Sequence, residues 1–323
     1  MKIRIGILLA VWLLMYSCTG DGTTVEGSNV VIPKDGKTEL KTGGIMTPDG
    51  VLLNYLVAGE GRKTLIIPNA VYLADDFRVL SSEYRLIFYD LRNRGRSQAV
   101  NKAEKLSDGI LNDVKDLEAI RKHFELEKFS VIGHSYLGMM VALYARQYPG
   151  YLEKVVQIAP IPPVSSTNYS NNDVYSDSLS LKTATSLQNL ESQKADLSSQ
   201  AYCDKWWGLM RLNYVGNGTG AERVARGICR YPNEHPDKML NYFKDYIQPS
   251  IEKINLAKAD LQDIKTPFLI IHGTKDRIIP IGSSRDWATL LPEAKLVEIE
   301  NGGHLPWIEA EAKVFDAIRD FLQ

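Results

Sequence analysis

From Gly44 onward, short runs of β-branched and aromatic residues alternate with stretches in which apolar positions recur every three or four residues. The first pattern suits a strand buried on both faces, and the second suits a helix with one buried face. Their alternation predicts an α/β fold with a mostly parallel sheet and helices on both sides. Ile45, Met46 and Thr47, the turn Pro48-Asp49-Gly50, and residues 51–57 read as an opening hairpin. Buried strands are predicted at 64–67, 85–89, 129–132, 155–159, 268–271 and 295–299. Between them, Ile110, Val114, Leu117 and Phe124 share one helical face, while Asp113, Lys115, Asp116 and Glu118 lie mostly off it. The last helix opens at Pro306, whose fixed φ suits a first helical position, and buries Val314, Phe315, Ile318, Phe321 and Leu322.

One region breaks the alternation. Residues 163–260 carry no strand-like run; a Ser- and Asn-rich opening gives way to an aromatic stretch with Tyr202, Trp206, Trp207 and Tyr214. A structureless loop of that length is improbable inside a compact domain, so this is read as a mostly helical insertion above the sheet. The core is then 44–162 with 261–323. Trp206 and Trp207 are adjacent, about 100° apart on a helix, and cannot share one face. Either one lines the substrate cleft and the other fills the insertion's core, or both pack inside.

The N-terminus reads as an address. Lys2 and Arg4 precede an apolar run from Ile5 to Tyr16, then Ser17 and Cys18, which is the anatomy of a signal peptide over 1–17. Met15-Tyr16-Ser17-Cys18 resembles a bacterial lipoprotein lipobox, which implies a lipid anchor on Cys18 and a place at the periplasm or cell surface; the alternative is an ordinary cleaved secretory signal. Residues 18–43, rich in Gly and Thr, read as a tether. Cys203 and Cys229 then remain as a pair in a compartment that permits disulfides, either bonded or as two buried thiols.

Composition narrows the function. Lys plus Arg is 38 against 39 for Asp plus Glu, a formal charge of -1, so no broad basic field exists to hold nucleic acid. No stretch reaches the roughly 20 apolar residues that a membrane-spanning helix needs, which leaves the lipid as the expected membrane contact. Three cysteines are too few for a cysteine-based metal module, and His123 and His235 have no spaced partner. No glycine-rich phosphate loop follows a strand, so neither cofactor nor metal is expected.

The chemistry concentrates in Val131-Ile132-Gly133-His134-Ser135-Tyr136-Leu137-Gly138, where a buried strand gives way at once to a helix. Such a turn lifts the Ser135 hydroxyl to the carboxyl end of the sheet. A serine alcohol is a poor nucleophile near neutral pH and needs a base. His304, in Gly302-Gly303-His304-Leu305 after the last strand, is the candidate base, and Asp276, after the preceding strand, is the candidate acid that orients it. All three fall at carboxyl ends of strands, in the order Ser, Asp, His. His272 is the runner-up base. His134 is read as structural, and Asp90 as a structural partner of Arg92 or Arg94.

These residues resemble the α/β-hydrolase superfamily, and most of all its capped branch of proline iminopeptidases and small-ester hydrolases. Asp90-Leu91-Arg92-Asn93-Arg94-Gly95-Arg96-Ser97 is similar to that branch's Asp-x-Arg-Gly-x-Gly-x-Ser run, with Asn93 in place of a glycine. The resemblance implies Ser135 as nucleophile, Asp276 as acid, His304 as base and the insertion as cap. Two departures stand out. Leu137 occupies the second glycine position of the Gly-x-Ser-x-Gly elbow, and Ile67-Pro68-Asn69-Ala70 stands where a His-Gly-x oxyanion loop is common. The oxyanion hole is assigned to the Ala70 and Tyr136 N–H groups.

The expected activity is hydrolysis of a small ester or amide through an acyl-enzyme, on a small-molecule or short-peptide substrate. A proline iminopeptidase-like aminopeptidase is the alternative, and it would need a cap carboxylate such as Glu222, Glu234 or Asp237 to hold a free amino terminus. An acyltransferase, or a ligand-binding protein with a vestigial triad, are the other readings.

Overall fold

The computed structural model describes residues 40–167, 169 and 177–323; the expected signal segment, Cys18 and nearly all of the tether lie outside them. Eight strands form one sheet: β1 (Lys41–Met46), β2 (Leu52–Ala58), β3 (Thr64–Pro68), β4 (Arg85–Tyr89), β5 (Phe129–His134), β6 (Leu152–Ile158), β7 (Phe268–Gly273) and β8 (Ala294–Ile299). Their spatial order is β1-β2-β4-β3-β5-β6-β7-β8. β2 pairs antiparallel with both β1 and β4, and every other pair is parallel.

β1 begins at Lys41, opposite Val57, so the sheet starts inside the stretch read as tether. Gly43 explains the misreading. The Tyr55 ring packs over it, 2.3 Å from where a Cβ would stand, so this strand carries a glycine that, in sequence, looks like linker.

Alternate residues of the central strands feed two cores, one on each face. Ile66, Val131, Val114, Leu117 and Met139 belong to one, and Leu65, Ile67, Ile132, Phe77, Trp307 and Phe315 to the other. The helices that cover these faces include α1 (Ala70–Phe77), α2 (Ile110–His123) and α3 (Tyr136–Gln147). The single C-terminal helix expected from Pro306 is two, Pro306–Glu309 and Glu311–Leu322. The chain leaves helical geometry at Ala310 (φ -133°, ψ 53°), and Glu309, the last residue before the break, turns its carboxylate onto neighbouring loop amides.

Between β6 and β7 the described residues form helices and short turns, among them α4 (Ser178–Ser192), α5 (Ser199–Met210) and α6 (Pro236–Tyr242). Side-chain caps fix two starts: Asp177 accepts the Ser180 N–H and Ser198 accepts the Ala201 N–H. A lone bridge between Val164 and Asn255 ties the two ends of the insertion together. Cys203 on α5 and Cys229 are joined as a disulfide, with Cα atoms 5.9 Å apart.

Candidate active site

Ser135 is the one residue between β5 and α3, held at φ 60° and ψ -128°. Non-glycine residues seldom adopt such a conformation, and the surrounding structure must over-determine it. It does so here. The Ser135 N–H donates to the Ile158 carbonyl at 2.9 Å, and α3 passes so close to β5 that a Cβ on Gly133 would stand 2.4 Å from the Leu137 carbonyl oxygen. Leu137 is accommodated because the second close approach falls one residue later, at Gly138, where a Cβ would meet Pro160 at 2.6 Å.

Asp276 sits past the end of β7 with its carboxylate buried and fully engaged. Oδ1 accepts the Ile278 and Ile279 N–H groups at 2.7 and 2.9 Å, and Oδ2 accepts His304 Nδ1 at 2.7 Å and His272 Nε2 at 3.1 Å. Burial by itself raises the pKa of this carboxyl. The His304 charge and the hydrogen bonds from both imidazoles outweigh burial and hold it well below the usual carboxylate range. His304 reaches it over a loop that only glycines allow: a Cβ on Gly273 would stand 2.2 Å from the Gly302 carbonyl oxygen.

His304 and Ser135 line the same cavity of about 220 Å³, walled by Tyr72, Tyr136, Tyr214, Val224, Phe243 and Ile278. That volume lies below the range usual for drug-sized ligands and suits a small acyl group. His134 lines it too, but its Nε2 donates to the His304 carbonyl at 3.0 Å. Burial and the neighbouring His304 push its pKa down to about 3, so it is neutral. His272 is excluded as a base. Its Nδ1 accepts from the Ser284 hydroxyl, and its Nε2–H is shared between the Ile279 carbonyl and Asp276, which leaves no lone pair for a serine proton.

At the end of β3, Asn69 takes the left-handed conformation (φ 72°, ψ 51°) that a glycine would otherwise supply, and α1 begins at Ala70. Its first amides are largely committed: Val71 N–H donates to Asp90 Oδ1 at 2.7 Å, and those of Tyr72 and Leu73 donate to the Asn69 carbonyl. Ala70 and Tyr136 are the first residues of α1 and α3, positions whose N–H groups have no partner within the helix.

Three expectations are corrected. Asp90 pairs with neither Arg92 nor Arg94 but with Arg96 of the same loop, whose guanidinium stands 3.6 Å from Oδ2; it also accepts the N–H groups of Val71 and Arg96, because the loop folds back at Gly95 (φ 50°) over its carboxylate. Arg92 instead pairs with Asp116 and Asp49, and Arg94 with Glu234. Asn93 has φ 61° at the position where the resembling motif has glycine. Trp206 and Trp207 do not line the cavity. They pack with Tyr202, Cys203 and Ile228 in the insertion's own core, and Trp207 stands behind Tyr72 and Tyr214, which do line it. Nor does any of Glu222, Glu234 and Asp237: Glu222 is exposed, Asp237 pairs with Lys194, and Glu234 is consumed by Arg94.

Sequence reasoning missed Tyr214, whose ring meets that of His304 edge to face at 5.6 Å, and Asp76, which lines the cavity and accepts Trp307 Nε1 at 2.8 Å. Neither belongs to a local motif.

The family described as alpha/beta hydrolase fold matches residues 67–311. The chain is 30% identical over 289 residues to the AB hydrolase superfamily protein YclE of Bacillus subtilis, covering 86% of this chain and 97% of that one. It is 27% identical over 243 residues to the bifunctional esterase/perhydrolase DCH of Acinetobacter calcoaceticus, covering 72% and 79%. Among solved structures, a thermophilic esterase from Thermogutta terrifontis superposes with a TM-score of 0.63 at 20% identity, over 87% of this chain and 98% of that one.

Proposed function

The chain belongs to the α/β-hydrolase family, and from that premise we propose that it is a serine hydrolase that cleaves a small carboxylic ester or amide through an acyl-enzyme on Ser135. The observation that carries this reading is the 2.7 Å bond from His304 Nδ1 to Asp276. It fixes the tautomer, so Nε2 carries the lone pair, in a ring that shares its cavity with Ser135.

The Ser135 hydroxyl attacks the substrate carbonyl while His304 Nε2 takes its proton. Asp276 then stabilises the imidazolium, and the Ala70 and Tyr136 N–H groups receive the oxyanion. His304 returns the proton to the departing alcohol or amine, and water, activated by the same imidazole, releases the acid. An ester or simple amide is favoured over a peptide with a free amino terminus, because Glu234 is neutralised by Arg94 and Glu222 and Asp237 do not line the cavity.

Labelling with a fluorophosphonate, wild type against Ser135→Ala, tests this. A covalent adduct on the wild type alone is expected; a folded wild type that takes no label overturns the reading in favour of a ligand-binding protein. Faster turnover of proline p-nitroanilide than of p-nitrophenyl acetate would instead make it an aminopeptidase, and acyl capture by added alcohol an acyltransferase. We also propose export and lipid anchoring at Cys18, supported by the Cys203–Cys229 disulfide, a bond typical of oxidising compartments. The mass of the mature N-terminal peptide tests it; a peptide that begins before Cys18, or an unmodified Cys18, counts against it.

A further inference from the structure

Glu309 closes the short helix after His304, and its carboxylate receives three backbone amides from two different loops. Oε2 accepts the Gly303 N–H at 2.6 Å. Oε1 accepts the N–H groups of Gly216 and Asn217, at 2.7 and 3.1 Å. Gly303 immediately precedes His304, whereas Gly216 and Asn217 belong to the insertion, within the loop closed by Cys203 and Cys229. One side chain therefore ties the loop of the proposed base to the cap.

The same cap segment holds the other side of His304. The Tyr214 carbonyl accepts the Leu305 N–H at 3.1 Å, and the Tyr214 ring lies edge to face against the imidazole. The Val215 carbonyl accepts from Arg277, the residue after Asp276. The approach is close enough to require glycine on both sides. A Cβ on Gly216 would stand 2.1 Å from the Asn301 carbonyl oxygen, and one on Gly303 would stand 2.5 Å from the Gly216 nitrogen. Residues 214–217 thus grip the chain on both flanks of His304, and Glu309 is the side chain that completes the grip.

We infer that Glu309 is a positioning residue for His304: by clamping the loop 301–305 onto cap residues 214–217, it sets the imidazole's aim at Ser135. The cap is then part of the device that aligns the base and does more than cover the pocket. This rests on the assignment of Ser135 and His304 above. Displacements of about 1 Å in a reacting group can cost about 100-fold in rate, so a loosened loop is felt in turnover even where substrate binding is unchanged.

The experiment compares wild type, Glu309→Ala and Glu309→Gln, with active sites counted by fluorophosphonate titration and folding checked by circular dichroism. Per titrated site, Glu309→Ala is expected to lose about 10- to 100-fold in kcat, with KM within about twofold and a displaced acid limb in the pH profile of kcat/KM. Glu309→Gln keeps a single acceptor oxygen, satisfies one loop and not both, and should fall between the two. A merely structural role would lower the melting temperature and the titratable fraction while leaving kcat per site and the pH profile unchanged; that result overturns the inference. A wild type that fails to titrate at Ser135 overturns instead the assignment on which it rests.

Discussion

The guanidinium of Arg94, in the loop after β4, and the carboxylate of Glu234, in the insertion, form a buried bidentate pair at 2.9 and 2.7 Å across 140 residues of chain. The Gly95 N–H at 2.7 Å and the Tyr72 hydroxyl at 3.1 Å complete the carboxylate's shell. Burial would raise the pKa of Glu234, but the Arg94 charge and these donors hold it below the usual range. The pair is a dock between cap and core at the edge of the cavity, since Arg94 and Tyr72 both line it.

Removing one member of such a pair leaves an uncompensated buried charge, which costs about 3–5 kcal/mol. Glu234→Ala should therefore be strongly destabilised in urea unfolding, and Glu234→Gln, which can still accept from Arg94, less so. A loss below about 1 kcal/mol in Glu234→Ala would show that the cap is held elsewhere.

Asp276→Asn keeps the shape of the carboxylate but offers an amide that cannot accept from every present donor. An imidazole left in the wrong tautomer should reduce kcat about 10⁴-fold with little change in fold, as read by ester turnover and circular dichroism. Activity within about tenfold of wild type would remove Asp276 from the proposed mechanism. Because its folded pKa is depressed, the stability it contributes is present at neutral pH and is lost as pH falls below about 4.

The Cys203–Cys229 bond spans a sequence separation of 26 and encloses Tyr214, Arg223, Val224 and Ala225, all of which line the cavity. In the chain-entropy model a loop of that size contributes about 3–4 kcal/mol. Reduction should lower the melting temperature, and Cys203→Ser with Cys229→Ser should reproduce the loss. Two alkylatable thiols in the unreduced, denatured protein would show that the bond does not form.

Asp113 on α2 is fully buried, and the Tyr136 hydroxyl compensates its carboxylate only in part. Burial, reinforced by the charge of Asp116, pushes its pKa up to about 8 against the partly compensating charges of Arg92 and Arg94. An unfolded aspartate titrates near about 4, so the folded chain holds a proton that the unfolded chain has released across the interval between. Stability is highest below about pH 4 as far as this group is concerned, falls as pH rises toward about 8, and levels off above it. Asp113→Asn should remove that slope, gaining in melting temperature over the wild type as pH rises from about 5 to about 9. Parallel curves for the two proteins would refute this account of Asp113.

The sequence by itself determined the sheet and the order of the triad candidates. Strands buried on both faces write an apolar run into the chain whatever their neighbours, which is why β3, β4 and β5 stand where the pattern put them. The elbow at Ser135 is likewise a local demand of backbone geometry, legible in the residues around it, whereas Gly303 is required by the distant cap residues 214–216. Only the tertiary structure decided the partners of the polar side chains. That Asp90 takes the Val71 amide, whether Glu234 faces a substrate or Arg94, which rings line the cavity, and that Glu309 spans two loops depend on contacts between segments far apart in the chain. A hydrogen bond reaches about 3 Å and takes no account of how many residues separate its ends, so it leaves no periodicity in the sequence to read.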